Sequence, residues 1–134
     1  MRTWSGVMVA VLMCGGLCGC GSVDSREESA AAAAARFEAS LVAERPVEGC
    51  AALAPGTRDE LEQSAEMPCV RALPEERLPV AGAVRTVDVY GHQARVVAAR
   101  DTLFLSSFPG GWKVVAAGCT PRPRQPYQCL IKGG

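Results

Sequence analysis

Cysteine is the residue type with the most chemical reach in this 134-residue chain, and it occurs seven times, at positions 14, 18, 20, 50, 69, 119 and 129. Thiols can form disulfides, bind metal, act as nucleophiles or accept a lipid, and spacing separates these roles. No Cys-x-x-Cys pair occurs and His92 is the single histidine, so a zinc site has little to build on. The other side chains offer no better constellation. His92 stands after Gly91 in an expected hairpin turn, where a solvated histidine is the ordinary outcome. The serines stand in no Gly-x-Ser-x-Gly context, and Gly110-Gly111 lies between two expected strands, where a turn accounts for it. Asp101 fits turn chemistry and Asp88 the polar face of a strand. The sequence therefore predicts no catalytic residue, no cofactor and no metal.

The first three cysteines belong to the N-terminal segment. Arg2 is followed by an uncharged run from Gly6 to Cys20, apolar from Val7 to Met13. That is the pattern of a signal peptide, too short for the ~20 apolar residues of a membrane span. Its end, Leu17-Cys18-Gly19-Cys20, resembles the bacterial lipoprotein box, in which the last cysteine becomes the first mature residue and carries a diacylglycerol. Residues 1–19 are expected to be the signal peptide, Cys20 the lipidation site and residues 20–29 a lipidated tether of small polar residues.

Four cysteines then remain in an exported domain, Cys50, Cys69, Cys119 and Cys129, and an even number in an oxidising compartment reads as two disulfides. Three pairings are possible. Neighbour pairing, Cys50 with Cys69 and Cys119 with Cys129, suits the organisation of the chain, each bridge being worth roughly 3 kcal/mol.

Residues 30–134 are expected to form one disulfide-bonded domain. Six alanines, Ala30 to Ala35, lead into a helix with Ala30, Ala34, Phe37 and Leu41 on one face, stopped by Pro46. Short helical pieces follow to about residue 79; Thr57-Arg58-Asp59-Glu60 reads as a capping box, and Pro68 and Pro74 as the bounds of a further turn. From Val84 the period changes to two. Val84–Tyr90, Ala94–Arg100, Thr102–Ser107 and Trp112–Gly118 predict an antiparallel meander, an irregular proline-rich segment follows Cys119, and Gln128 to Ile131 is a possible edge strand. Five of the six aromatic residues beyond Cys20 lie in this half, which predicts a core seated on the sheet. The fold class is α+β, a long N-terminal helix and short helices packed on a curved antiparallel sheet of four to five strands.

Lysine and arginine balance aspartate and glutamate at fourteen each, which excludes the large basic excess of a nucleic-acid binder. The balance hides a division. Residues 20–79 carry twelve acidic and six basic side chains, net −6, whereas residues 80–134 carry two acidic and seven basic, net +5. Either these charges lie at the seam of an acidic helical layer and a basic sheet layer or in solvent, or Arg85, Arg95, Arg100, Lys113, Arg122 and Arg124 present a basic surface to an acidic partner, a wall polymer or a lipid headgroup. Arg122 and Arg124 are the stronger pair, because Pro121 and Pro123 would hold them out on an extended segment.

Gly110-Gly111-Trp112-Lys113-Val114-Val115-Ala116-Ala117-Gly118-Cys119 and Pro126-Tyr127-Gln128-Cys129, after a long helix and short helices, resemble small exported lipoproteins of high-GC actinobacteria; twelve arginines against two lysines agree with such a genome. The resemblance implies a cystatin-like roll of the nuclear-transport-factor-two superfamily and a place on the outer face of the cell membrane. Ketosteroid-isomerase-like members of that superfamily use an Asp base and Tyr donors inside the cone, a set not placed on this sequence. The expectation is a membrane-anchored, non-enzymatic binding domain, held to the bilayer through Cys20; the alternative is a small enzyme or ligand carrier using a pocket between sheet and long helix.

Overall fold

The computed structural model describes residues 22–133; the expected signal peptide and Cys20 lie outside the described residues. Helix α1 (Val23–Val42) is followed by α2 (Pro46–Ala52), α3 (Pro55–Ala65) and α4 (Cys69–Glu75), then by strands β1 (Val84–Tyr90), β2 (Gln93–Ala98), β3 (Thr102–Phe108), β4 (Gly111–Arg122) and β5 (Gln125–Lys132). The strands form one antiparallel sheet in sequence order. The α+β expectation holds, with five strands.

Helix α1 starts seven residues before Ala30, so residues 23–29 are not an irregular tether. The cause is local: the Ser22 hydroxyl accepts from the Ser25 amide, and Asp24 places a negative charge in the first turn. The helix ends before Pro46. Glu44 takes a left-handed conformation (φ 54°), its amide bonds to Leu41 and that of Arg45 to Ser40, which satisfies the last carbonyls in a Schellman arrangement. Pro46 instead opens α2, at a position where its missing N–H costs nothing.

Two further boundaries move. Pro55, not a Thr57 capping box, begins α3; Thr57 lies inside the helix, buried, and its hydroxyl donates to the Val115 carbonyl at 3.0 Å. Pro74 sits within α4 rather than ending it. The proline-rich segment after Cys119 is regular: β4 runs to Arg122, Pro123 and Arg124 make a two-residue turn, and Arg122 pairs with Gln125. Proline fixes φ at the first turn position and Arg124 takes the left-handed conformation (φ 57°) at the second.

Helix α1 lies across the sheet, against β1 to β4, and buries Ala30, Ala33, Ala34 and Phe37. Opposite them stand Val96, Leu103, Leu105, Val114 and Ala117. The core is made of small aliphatic residues around Phe37, the single fully buried aromatic among the described residues. The core sits on the sheet as expected, but its sheet side is aliphatic rather than aromatic: Phe104 stands across from Arg95 in the β2–β3 register and meets Tyr127 edge to face at 5.1 Å, Trp112 is only partly buried, and Tyr90 and Phe108 are exposed. Alanines on α1 bring the helix close to the sheet, so one phenyl ring fills the space.

The register shifts along β1–β2, β3–β4 and β4–β5, and these bulges curve the sheet. Gly118 sits at one bend with φ 64°, and a Cβ there would stand 2.8 Å from Leu130 Cδ1. Only glycine fits that position without strain. The helical layer is sewn to the sheet where Leu53 bridges Val114 and the Ala54 amide donates to the Val114 carbonyl at 2.8 Å.

Candidate functional site

The four cysteines pair as neighbours. Cys50–Cys69 ties α2 to α4 in the interior, and Cys119–Cys129 links directly opposed positions of β4 and β5. Glu62 supports the first bridge by accepting the Cys69 amide at 2.9 Å, which caps the start of α4. That bond, followed by the hydrogen bond from Arg58, holds the Glu62 carboxyl below its ordinary range. Two disulfides are the mark of a protein that matures outside the reducing cytosol, and this one is exported.

The meander divides the molecule into two ends. At one lie the start of α1 and the turns at Gly91-His92 and Pro109-Gly110; at the other lie the turns at Ala99-Arg100 and Pro123-Arg124. The first end is fastened by Arg26, whose guanidinium donates to the Gly91 carbonyl and stands 5.8 Å over the Trp112 ring. The residues singled out from sequence separate accordingly. At the far end exposed Arg122 closes β4 ahead of the turn and exposed Arg124 is the turn's second residue, with Arg122 Nε donating to the Pro126 carbonyl at 3.2 Å. They stand on a tight hairpin, not on an extended proline run.

The remaining cations do not gather into one basic face. Arg95 donates Nε and Nη2 to Asp88 Oδ2 at 3.1 and 2.7 Å, Arg100 Nε donates to the Val80 carbonyl, and Lys113 Nζ reaches the Ala51 carbonyl near the end of α2. Asp88 and Tyr90 do not line an interior cone: Asp88 is engaged by Arg95 and Tyr90 is 68% exposed. His92 is exposed in its turn.

Asp101 departs most from its expected part. Its carboxylate is buried and accepts three amides, from Thr102 (2.7 Å), Cys119 (2.9 Å) and Gly118 (3.0 Å), binding the β2–β3 turn to the bend of β4 beside the second disulfide. Burial pushes its pKa above the usual value, against the three amides that pull it down.

The residue that sequence reasoning missed is Glu38. It projects from α1 into a niche of about 170 Å³ between that helix and the β1–β2 side of the sheet, lined by Ala34, Ala81, Val84, Val96, Ala98 and Leu103 among others. Oε2 accepts the Ala81 amide at 3.2 Å, while Oε1 is buried with no partner among the described residues. Burial is the main influence and pushes the carboxyl up to about 7; the Ala81 amide opposes it and the charge of Asp101 adds to it. The signal was present, since Glu38 falls four residues after Ala34 and three before Leu41 on the apolar stripe itself.

A larger groove of about 410 Å³ runs between the end of α1, α2 and α4. Its buried polar group, Ser40, is already spent on the Phe37 carbonyl at 2.6 Å, and the charged side chains of Glu44, Arg45 and Arg77 also line it. Among the described residues no three His, Cys, Asp or Glu side chains meet in a metal-binding geometry, and no helix is long and apolar enough to cross a membrane. No family model matches the chain, and neither a curated protein nor a solved structure is detectably similar to it.

Proposed function

We propose that this protein is a bacterial lipoprotein, anchored through Cys20 to the outer face of the cell membrane, whose domain is a non-enzymatic binding module. The observation that carries the reading is the Leu17-Cys18-Gly19-Cys20 box standing two residues ahead of Ser22, the cap of a disulfide-bonded domain. Export explains the bridges, and lipidation explains the odd cysteine left after Cys14 and Cys18 depart with the signal peptide.

Support for binding over catalysis comes from the space beneath α1. Phe37 fills it against Leu103, Leu105 and Val114, while Asp88 is paired with Arg95 and Tyr90 is exposed. The exposed Arg122–Arg124 hairpin suits an acidic protein or wall polymer. One helix laid across a curved meander supports a cystatin-like roll for this domain. A second reading, a carrier of small ligands, is favoured by one feature, the unpartnered carboxylate oxygen of Glu38 in its apolar niche.

Fractionation tests the anchor. The wild-type protein belongs in the membrane fraction, and Cys20→Ser belongs among soluble exported proteins or retains its signal peptide. Equal membrane recovery of both, with the signal peptide removed, would refute the anchor.

A further inference from the structure

We infer that the end of the domain carrying Val23, Tyr90 and Phe108 rests in the headgroup layer of the bilayer, so that the Arg122–Arg124 hairpin points away from the membrane. The inference rests on lipidation of Cys20. Its first support is chain length: Gly21 alone lies between Cys20 and Ser22, and the two Cα–Cα steps between them reach at most about 7 Å. The polar layer over each side of the hydrocarbon core is about 5–8 Å deep, so the chain leaves almost no stand-off. No flexible tether intervenes, because the helix begins at Val23 and Arg26 fixes its first turns to Gly91 and to the Trp112 ring.

The second support is the surface so delivered. Val23 is 61% exposed, Tyr90 68% and Phe108 37%, and the last two are the exposed aromatic residues among the described ones. Tyr90 precedes the Gly91-His92 turn and Phe108 precedes Pro109-Gly110, so both rings stand at strand ends beside the start of α1. Tyrosine and tryptophan favour the membrane–water interface, where one side of the ring is apolar and the other wet. Asp24, Glu27 and Glu28 in the first turns of α1 make this a contact of apolar rings with the interface, not of cations with anionic lipid. Anchoring already supplies a high effective concentration, so a few exposed side chains suffice to hold the orientation.

Trp112 is the sole tryptophan of a chain that begins at Cys20 and lies at this end, which makes it a reporter. The lipoprotein, purified with its lipid verified by mass, is placed in phosphatidylcholine vesicles with or without brominated acyl chains. Loss of much of the Trp112 emission in brominated vesicles is expected, together with recovery of that emission in Tyr90→Ser/Phe108→Ser. A Trp112→Phe/Arg124→Trp variant moves the reporter to the far hairpin, where emission should be the same in both vesicles. Equal emission of the wild type in both vesicles, or equal quenching at position 124, overturns the orientation while leaving the anchor intact. A chain without lipid on Cys20 removes both.

Discussion

The guanidinium of Arg26, in the fourth residue of α1, donates to the carbonyl of Gly91, sixty-five positions away at the tip of the first hairpin. A segment whose composition reads as a linker is thereby part of the folded domain. Arg26→Ala removes this bond and the contact with Trp112, and should cost about 1 kcal/mol of stability. Hydrogen exchange should show the loss locally, with faster exchange over residues 23–30 and little change in β3 and β4.

Removing either disulfide should destabilise without abolishing the fold in the other half. By loop length, the Cys50–Cys69 bridge, 19 positions apart, contributes about 3 kcal/mol and the Cys119–Cys129 bridge, 10 apart, slightly less. Paired alanine substitutions followed by urea unfolding measure both. Double loss should leave a chain with little remaining stability, since small domains hold about 5–15 kcal/mol in all.

Asp101→Asn should cost about 2–3 kcal/mol, because its NH2 group would replace one acceptor oxygen and face either the Gly118 amide, accepted by Oδ2, or the Thr102 and Cys119 amides, accepted by Oδ1. The same substitution at Asp88, partly exposed and paired with Arg95, should cost under about 1 kcal/mol. Thermal melts of the two variants side by side separate the buried acceptor from the surface pair.

Glu38 predicts the sign of a pH dependence. Its carboxyl titrates near 4.5 when unfolded and at about 7 when folded, so the folded state holds its proton more tightly. The associated stability is present in full below about 4.5 and is lost as pH rises through 7. The carboxyl is partly open to solvent, which reduces the effect to about 1–2 kcal/mol. Urea midpoints should fall from pH 5 to pH 8, and Glu38→Gln should flatten that slope.

Much of this architecture is legible in residue order, and the exceptions share a physical cause. The switch from the Ala30–Phe37–Leu41 stripe to the alternation of Val84–Tyr90 gives a helix and a meander, because period depends only on neighbouring side chains. Boundaries moved where a residue serves two grammars. Ser22 reads as linker yet caps a helix, Pro46 reads as a stop yet starts the next helix, and Pro123 reads as irregular yet opens a hairpin turn. Neighbour disulfides follow from compact local units. The roles of Asp101 and Glu38 are set by partners far away in sequence, Cys119 and Ala81, and no local pattern contains them.

Lipidation of Cys20 is the claim on which anchoring, orientation and the fate of the odd cysteine all depend. Intact mass and N-terminal peptide analysis of protein extracted from the membrane fraction test it directly. The expected product is a chain beginning at Cys20 whose first residue carries a diacylglyceryl thioether, with residues 1–19 absent. A chain recovered with a free or disulfide-bonded Cys20, or cleaved at another position, would contradict it.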